Sequence, residues 1–416
     1  MSDIRPEADS GRHRRFRARF PVREARPDRG DPGRGIPARG VPARGVPARG
    51  GYGCGGPGRR AARRLLLVGV LLAVIGLAGG ASGEENAFVA VSDGRLVLGG
   101  SPFVFTGMNV WNAAAPGAAP QFCGGPTDLS SAAGQFGSGV QVARVWFFQR
   151  LATSPGGARD WTALDAAVRA AGTRGLKVIA VLGNQWADCE GYSSAADGYK
   201  NEDWYRDGYR TAAPPGQPAT YEQWVREVVS RYREDPTIMM WQLVNEPEDA
   251  SSLGGSCSPG AGAALRSFAR AMGQEVKAID PRHLLGMGTI GTGQCGTSDQ
   301  DYVQLNAVPY LDVADYHDYS LEPVSGDRWN GLAARAREMA TLGKPLIVGE
   351  IGIVPDQVGG TDARAALISL KIFADLRLGA AGILLWAWRP AEFGGTNPSG
   401  YDIGPGDPAL GALADR

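Results

Sequence analysis

The chain has 416 residues, and its 43 Lys and Arg balance 43 Asp and Glu. The neutral sum hides two unlike parts. Residues 1–64 hold 17 Arg against 6 acidic residues, a net of +11, so the remainder carries −11. For the basic part the alternative to a solvated tail is a tether to nucleic acid or anionic lipid; no nucleic-acid partner is expected. Residues 1–64 are rich in Gly, Pro and Arg and include tandem Gly-Ile/Val-Pro-Ala-Arg pentamers across Gly35–Arg49. With few large apolar side chains this stretch cannot bury enough surface to offset chain entropy, and it reads as a disordered, solvated segment.

Residues 65–83 follow an Arg59-Arg60-Ala-Ala-Arg63-Arg64 flank. They comprise an uncharged apolar run, Leu65–Ala78, and the small residues Gly79–Gly83. A positive flank, a short apolar stretch and small residues predict an export signal. The alternative is an uncleaved membrane anchor through residues 65–79, although the run is shorter than the ~20 residues of a membrane span. Export places the protein outside the cell. It also places Cys123, Cys189, Cys257 and Cys295 in an oxidising compartment, where two bridges are expected with three connectivities open. The cysteine spacing fits no zinc pattern, so no metal is expected, and no cofactor signal is present.

Residues 84–416 read as one domain. Short apolar or β-branched runs predict eight strands: 103–108, 140–148, 176–182, 238–244, 283–290, 313–319, 346–349 and 382–388. Helix-period segments lie between most of them, at 161–171, 221–233, 262–279, 328–341 and 363–376. Such alternation predicts parallel strands with right-handed crossovers. Eight of them, with no Gly-rich phosphate fingerprint after any, predict an α/β fold of the (β/α)8 TIM-barrel kind. A monomer is expected.

In such barrels functional residues sit at the C-terminal ends of the strands. The first strand ends at Asn109 with Trp111 near, the second carries Arg144 and Trp146, and the third runs into Asn184 and Trp186. The fourth ends in Asn245-Glu246-Pro247, the sixth in His317-Asp-Tyr319, the seventh in Glu350, and the eighth brings Trp386 and Trp388. Two strand-end glutamates supply what glycoside hydrolysis needs: one carboxyl group to protonate the leaving oxygen and a second to attack the anomeric carbon. Glu246 suits the first role and Glu350 the second, with Arg144 and Tyr319 to hold Glu350 ionised and in place. His317 would hold Glu246 or a sugar hydroxyl, and Asn245 would donate to the sugar. Trp386, Trp111, Trp186 and Trp388 are candidate stacking faces. Trp146, Trp224 and Trp241 read as packing residues.

Together, Trp241-Gln-Leu-Val-Asn245-Glu246-Pro247, His317-Asp-Tyr319, Val-Gly-Glu350 and Leu-Leu-Trp386 resemble glycoside hydrolase family 5 over about residues 88–392. The resemblance implies a retaining two-glutamate mechanism. It also implies a site completed by Arg144, Asn245, His317, Tyr319 and Trp386. Arg144-Val-Trp146 and Asn184-Gln-Trp186 are similar to the endo-β-1,4-mannanase branch. Two positions depart from it: Glu248, where that branch often has Arg, and Ser320, where it usually has Pro. A β-linked polysaccharide or oligosaccharide is the expected partner, mannan first and β-glucan as the alternative. The rival class is a barrel that binds carbohydrate without cutting it. Pairings of Cys123 with Cys189 and Cys257 with Cys295 are expected to brace the substrate-facing rim.

Overall fold

A computed structural model describes residues 87–115, 123 and 126–414. The expected disordered segment (1–64) and export signal or anchor (65–83) lie outside them. Among the described residues no helix is long and apolar enough to cross a membrane.

The described chain opens with a small antiparallel sheet that was not among the expected strands: β1 (Val89–Ser92), β2 (Arg95–Leu98) and β3 (Ser101–Pro102). Its two turns are two-residue loops, Asp93-Gly94 and Gly99-Gly100, and all four residues have positive φ. That conformation defines the tight turns whose twist matches paired strands, and Asp-Gly and Gly-Gly are the pairs that adopt it readily.

Eight parallel strands follow: β4 (Phe105–Asn109), β5 (Val140–Trp146), β6 (Lys177–Val181), β7 (Ile238–Gln242), β8 (Leu284–Gly286), β9 (Ala314–Asp318), β10 (Leu346–Ile351) and β11 (Gly382–Leu385). Their order is β8-β7-β6-β5-β4-β11-β10-β9. A parallel bridge from Gly286 to Val313 joins the two ends, closing a (β/α)8 barrel. The eight predicted runs all coincide with these strands, but most overshoot the C-terminal end. Strands β7 and β8 end at Gln242 and Gly286, and the residues beyond them keep only single links to their neighbours, such as the Leu243 N–H to Gly286 O and the parallel bridge between Asn184 and Asn245.

The N-terminal sheet closes the opposite end. Val89 and Leu96 pack with Phe105, Leu284, Ile347 and Ala381, all at or next to the N-terminal ends of barrel strands. Burying them removes the lower mouth from water.

The outer ring is built from α1 (Leu129–Ala133), α2 (Thr162–Thr173), α3 (Tyr221–Tyr232), α4 (Ala261–Ile279), α5 (Asp299–Asn306), α6 (Leu332–Leu342) and α7 (Thr361–Arg377), with shorter turns between. In α3 the buried stripe is Tyr221, Trp224, Val225, Val228, Val229 and Tyr232. Thr220 and Gln223 form a reciprocal capping box at its start. The α6 helix begins four residues later than the expected 328. Asp327 Oδ1 accepts the N–H groups of Trp329 and Asn330 and holds them in a turn instead.

Two disulfides have the expected pairing. Cys123 bonds to Cys189 and Cys257 to Cys295, with Cα–Cα distances of 4.8 and 5.0 Å. Each joins segments that follow barrel strands and therefore lie on the C-terminal face.

Candidate active site

The strand ends bring Arg144, Asn245, Glu246, His317, Tyr319 and Glu350 together on that face. Glu350 lies within β10, in register with His317 of β9. Glu246 comes just beyond β7 with φ +54°, a left-handed conformation that costs a non-glycine residue about 1 kcal/mol or more. Its N–H donates to Gly288 O at 2.8 Å, and the preceding Asn245 N–H donates to Gly183 O at 2.8 Å. These bonds hold the turn by which Asn245 and Glu246 reach the same site, although neighbours along a strand would point to opposite faces.

The two glutamates are both buried. One oxygen of each, together with a His317 ring nitrogen, falls within a mutual distance of 4.8 Å. Retaining glycosidases place their carboxyl groups ~5–5.5 Å apart, whereas inverting ones leave ~6.5–9.5 Å for a water. The spacing therefore fits direct attack by one carboxylate.

Each glutamate has its own partners. Arg144 Nη1 donates to Glu350 Oε1 at 2.6 Å, and the Tyr319 hydroxyl donates to Glu350 Oε2. His317 Nδ1 lies 2.7 Å from Glu246 Oε1, and Trp186 Nε1 donates to Glu246 Oε2 at 2.5 Å. Burial by itself would lower the His317 pKa. The Glu350 and Asp315 carboxylates, with the hydrogen bond to Glu246, outweigh it and raise the imidazole to about 10. His317 is thus an imidazolium at neutral pH. Burial pushes Glu350 above the ordinary carboxylate range, opposed by His317 and Arg144, reinforced by Glu246 and opposed again by the Tyr319 hydrogen bond. Burial, followed by Glu350 and Glu246, raises Tyr319 far above its ordinary value, so the phenol remains a donor.

Glu246, His317 and Glu350 are close enough to share an ion. The Arg144 guanidinium against Glu350 and the imidazolium against Glu246 already supply the countercharge, so this donor set does not suit a metal cation.

The remaining expected residues divide. Trp386 is half-buried beside Trp146, with ring centroids 5.7 Å apart, and Trp111 is also half-buried; both keep exposed surface for a sugar. Trp186 uses its indole N–H on Glu246, so it orients the carboxyl group whatever its ring face does. Asn245 Oδ1 accepts from Arg144 Nη2 at 2.6 Å, and its amide donates to Asn184 Oδ1 at 3.1 Å.

Three of the expected residues are buried and packed or hydrogen-bonded within the protein. Asn109 is fully buried; its amide donates to Gly349 O and Leu385 O, and its oxygen accepts from Arg144. It holds Arg144. Asn184, 3% exposed, accepts from the Trp186 N–H and donates to Asp188 O, so it shapes the loop. Trp388, 2% exposed, packs edge-on against Phe136 in the core and offers no free stacking face. Strand β11 ends at Leu385, before both tryptophans, so alternation along the strand does not fix their directions.

The sequence reading missed several residues that hold the site. Lys200 donates to Asn184 O and pairs with Glu190, which accepts the Asn184 N–H, so a buried ion pair fixes the loop after β6. Tyr199 donates to Glu248 at 2.7 Å beside the Trp186 ring. Gln242 and Asp315 lie beneath the two glutamates. Period-2 alternation places 315, 317 and 319 on one face and 242 with 246, which is the signal that could have found them.

A closed (β/α)8 barrel with two facing carboxylates at the ends of its fourth and seventh strands is the architecture of a retaining glycoside hydrolase. The family model described as Cellulase (glycosyl hydrolase family 5) matches residues 100–392, and the chain belongs to that family. Mannan endo-1,4-beta-mannosidase 1 of Oryza sativa subsp. japonica is 30% identical over 392 residues, covering 79% of this chain and 85% of the relative. Mannan endo-1,4-beta-mannosidase A of Podospora anserina is 28% identical over 375 residues, covering 81% and 92%. The crystal structure of the endo-1,4-beta-mannanase from Rhizomucor miehei superposes with a TM-score of 0.60 at 19% identity, covering 78% of this chain and 97% of that one. That similarity establishes the shared fold.

Proposed function

We propose that the protein is an endo-β-1,4-mannanase in which Glu350 is the nucleophile and Glu246 the general acid and base. The observation that carries the roles is the difference in partners. Glu350 has the guanidinium and phenol donors that favour a carboxylate ready to attack. Glu246 faces an imidazolium and an indole N–H that can hold it through proton transfer.

In the first step a Glu350 oxygen attacks the anomeric carbon while the bond to the leaving oxygen breaks and Glu246 delivers its proton there. In the second, Glu246 takes a proton from water, whose oxygen attacks the same carbon and releases Glu350. Two displacements return the starting configuration. Trp386 and Trp111 supply apolar faces for pyranose rings. The mannan assignment is supported by the names of the relatives above, two of which align over most of their length.

We also propose export to the cell exterior, with residues 65–83 as signal and residues 1–64 as a basic leader. Two disulfides on the catalytic domain support this reading. The substrate is tested by incubating the purified protein with β-1,4-mannan, glucomannan, cellulose and β-1,3-glucan. A rapid fall in mannan viscosity with release of short manno-oligosaccharides is expected. Products from the glucans alone would overturn the mannan reading.

A further inference from the structure

Beneath the two glutamates runs a chain of buried side chains. Glu350 Oε1 accepts from Arg144 Nη1 at 2.6 Å, and Arg144 Nε donates to Gln242 Oε1 at 2.8 Å. Gln242 Nε2 donates to Asp315 Oδ2 at 2.5 Å, and that oxygen lies 3.6 Å from His317 Nε2. His317 Nδ1 then reaches Glu246 Oε1 at 2.7 Å and approaches Glu350 Oε1 at 3.5 Å. The path from nucleophile to acid/base thus crosses β5, β7 and β9, and every member is at most 3% exposed.

We propose that Asp315 and Gln242 are positioning residues of the reaction, joining Arg144 to His317 so that the nucleophile and the acid/base are held as one unit. The inference rests on the roles assigned to Glu350 and Glu246 above.

Three features support it. First, the amide of Gln242 has a required direction: its oxygen faces a guanidinium and its nitrogen a carboxylate. A carboxylate at position 242 would set a like charge against Asp315. Second, Asp315 is fixed from several sides. Its Oδ1 accepts the N–H groups of Tyr316 and Gly349 at 2.8 and 2.9 Å, and its carbonyl accepts from Thr289 and Tyr302. A Cβ on Gly349 would stand 2.4 Å from Asp315 Oδ1, so the glycine directly before Glu350 is the residue that admits this carboxylate. Asp315 therefore anchors the backbone entering the nucleophile as well as facing His317. Third, His317 Nε2 has no hydrogen-bond partner among the described residues, and Asp315 is the anion on that side at 3.6 Å. The charged groups around the imidazole are Asp315 on its own strand, Glu246 after β7, Glu350 on β10, and Arg144 on β5 against Glu350.

The test uses the full-length protein, whose only histidines are His13, His283 and His317. Imidazole 15N signals are followed against pH, with His317 assigned by its loss in a His317→Asn variant. In Asp315→Asn, His317 is expected to give up its proton about 1–3 pH units below the wild type, because an opposing charge is gone. The kcat on β-1,4-mannan is expected to fall roughly 10–100-fold with KM nearly unchanged. Gln242→Met leaves Asp315 in place, so the His317 titration should stay where it is while kcat falls roughly tenfold. A folded Asp315→Asn protein with wild-type kcat, or with His317 titrating as in the wild type, would overturn the proposal. Should Asp315→Asn not fold, wild-type kcat in Gln242→Met overturns it alone. The titration needs no substrate, so it decides the matter even if the mannan reading fails.

Discussion

Tyr319 shows how much of the chemistry rests on single side chains. Its hydroxyl donates to Glu350 Oε2, opposite the oxygen held by Arg144, so the carboxylate is gripped from both sides. Removing the hydroxyl leaves one oxygen of a buried anion without its donor. Hydrogen bonds to charged groups contribute about 1.5–3 kcal/mol. Tyr319→Phe is therefore expected to lower kcat on mannan roughly 10–100-fold with little change in KM, measured by steady-state kinetics. A larger change in KM than in kcat would show that Tyr319 serves binding. The placement of Glu350, Tyr319 and His317 was legible because period-2 alternation and strand ends give a direction to each side chain. The placement of Asn109 and Trp388 was less legible for a related reason. A residue at a strand end can turn back into the barrel, as Asn109 does toward Gly349 O and Leu385 O, and chain position alone does not reveal it.

At the scale of elements, all eight barrel strands were visible as apolar runs because buried parallel strands need apolar side chains on both faces. The N-terminal sheet was not, since its strands have two to four residues and half-exposed sides. Its signal lay in the turns Asp93-Gly94 and Gly99-Gly100. Helix α7 carries a liability of another kind. Asp375 is fully buried, and neither carboxylate oxygen has a hydrogen-bond partner among the described residues. Burial, reinforced by Asp318 and opposed by Lys371, raises its pKa to about 8. The native state therefore holds this proton across a range where an unfolded aspartate, at about 3.9, has released it. The sign follows: stability is fullest below the unfolded value and declines as pH rises toward 8. Asp375→Asn mimics the protonated form. It is expected to stabilise by about 1–3 kcal/mol at pH 9 and to change little at pH 4, read from denaturant unfolding at both. Equal effects at the two pH values would contradict the account of Asp375.

For the whole molecule, the barrel was legible from strand count and alternation, and the family from residues gathered at the strand ends. What holds those residues was less legible. The Lys200–Glu190 pair and the Asp315–Gln242 link join positions 10 and 73 residues apart; alternation gives Asp315 and Gln242 a face but does not name the partner each meets there. The two disulfides, closing separations of 66 and 38 residues, tie the loops after the first and third and the fourth and fifth barrel strands. Each contributes ~2–4 kcal/mol by restricting the unfolded chain. They keep the substrate-facing rim in place while the interior network holds the carboxylates. The central claim is that these carboxylates work by double displacement with Glu350 as nucleophile. Treating the protein with a 2-deoxy-2-fluoro manno-oligosaccharyl fluoride and mapping the labelled peptide by mass spectrometry tests it most directly. The fluorine slows both steps and the good leaving group lets the first proceed, so one sugar should remain esterified to Glu350. A label on Glu246 or elsewhere, or turnover that leaves none and gives product of inverted configuration, would contradict the account.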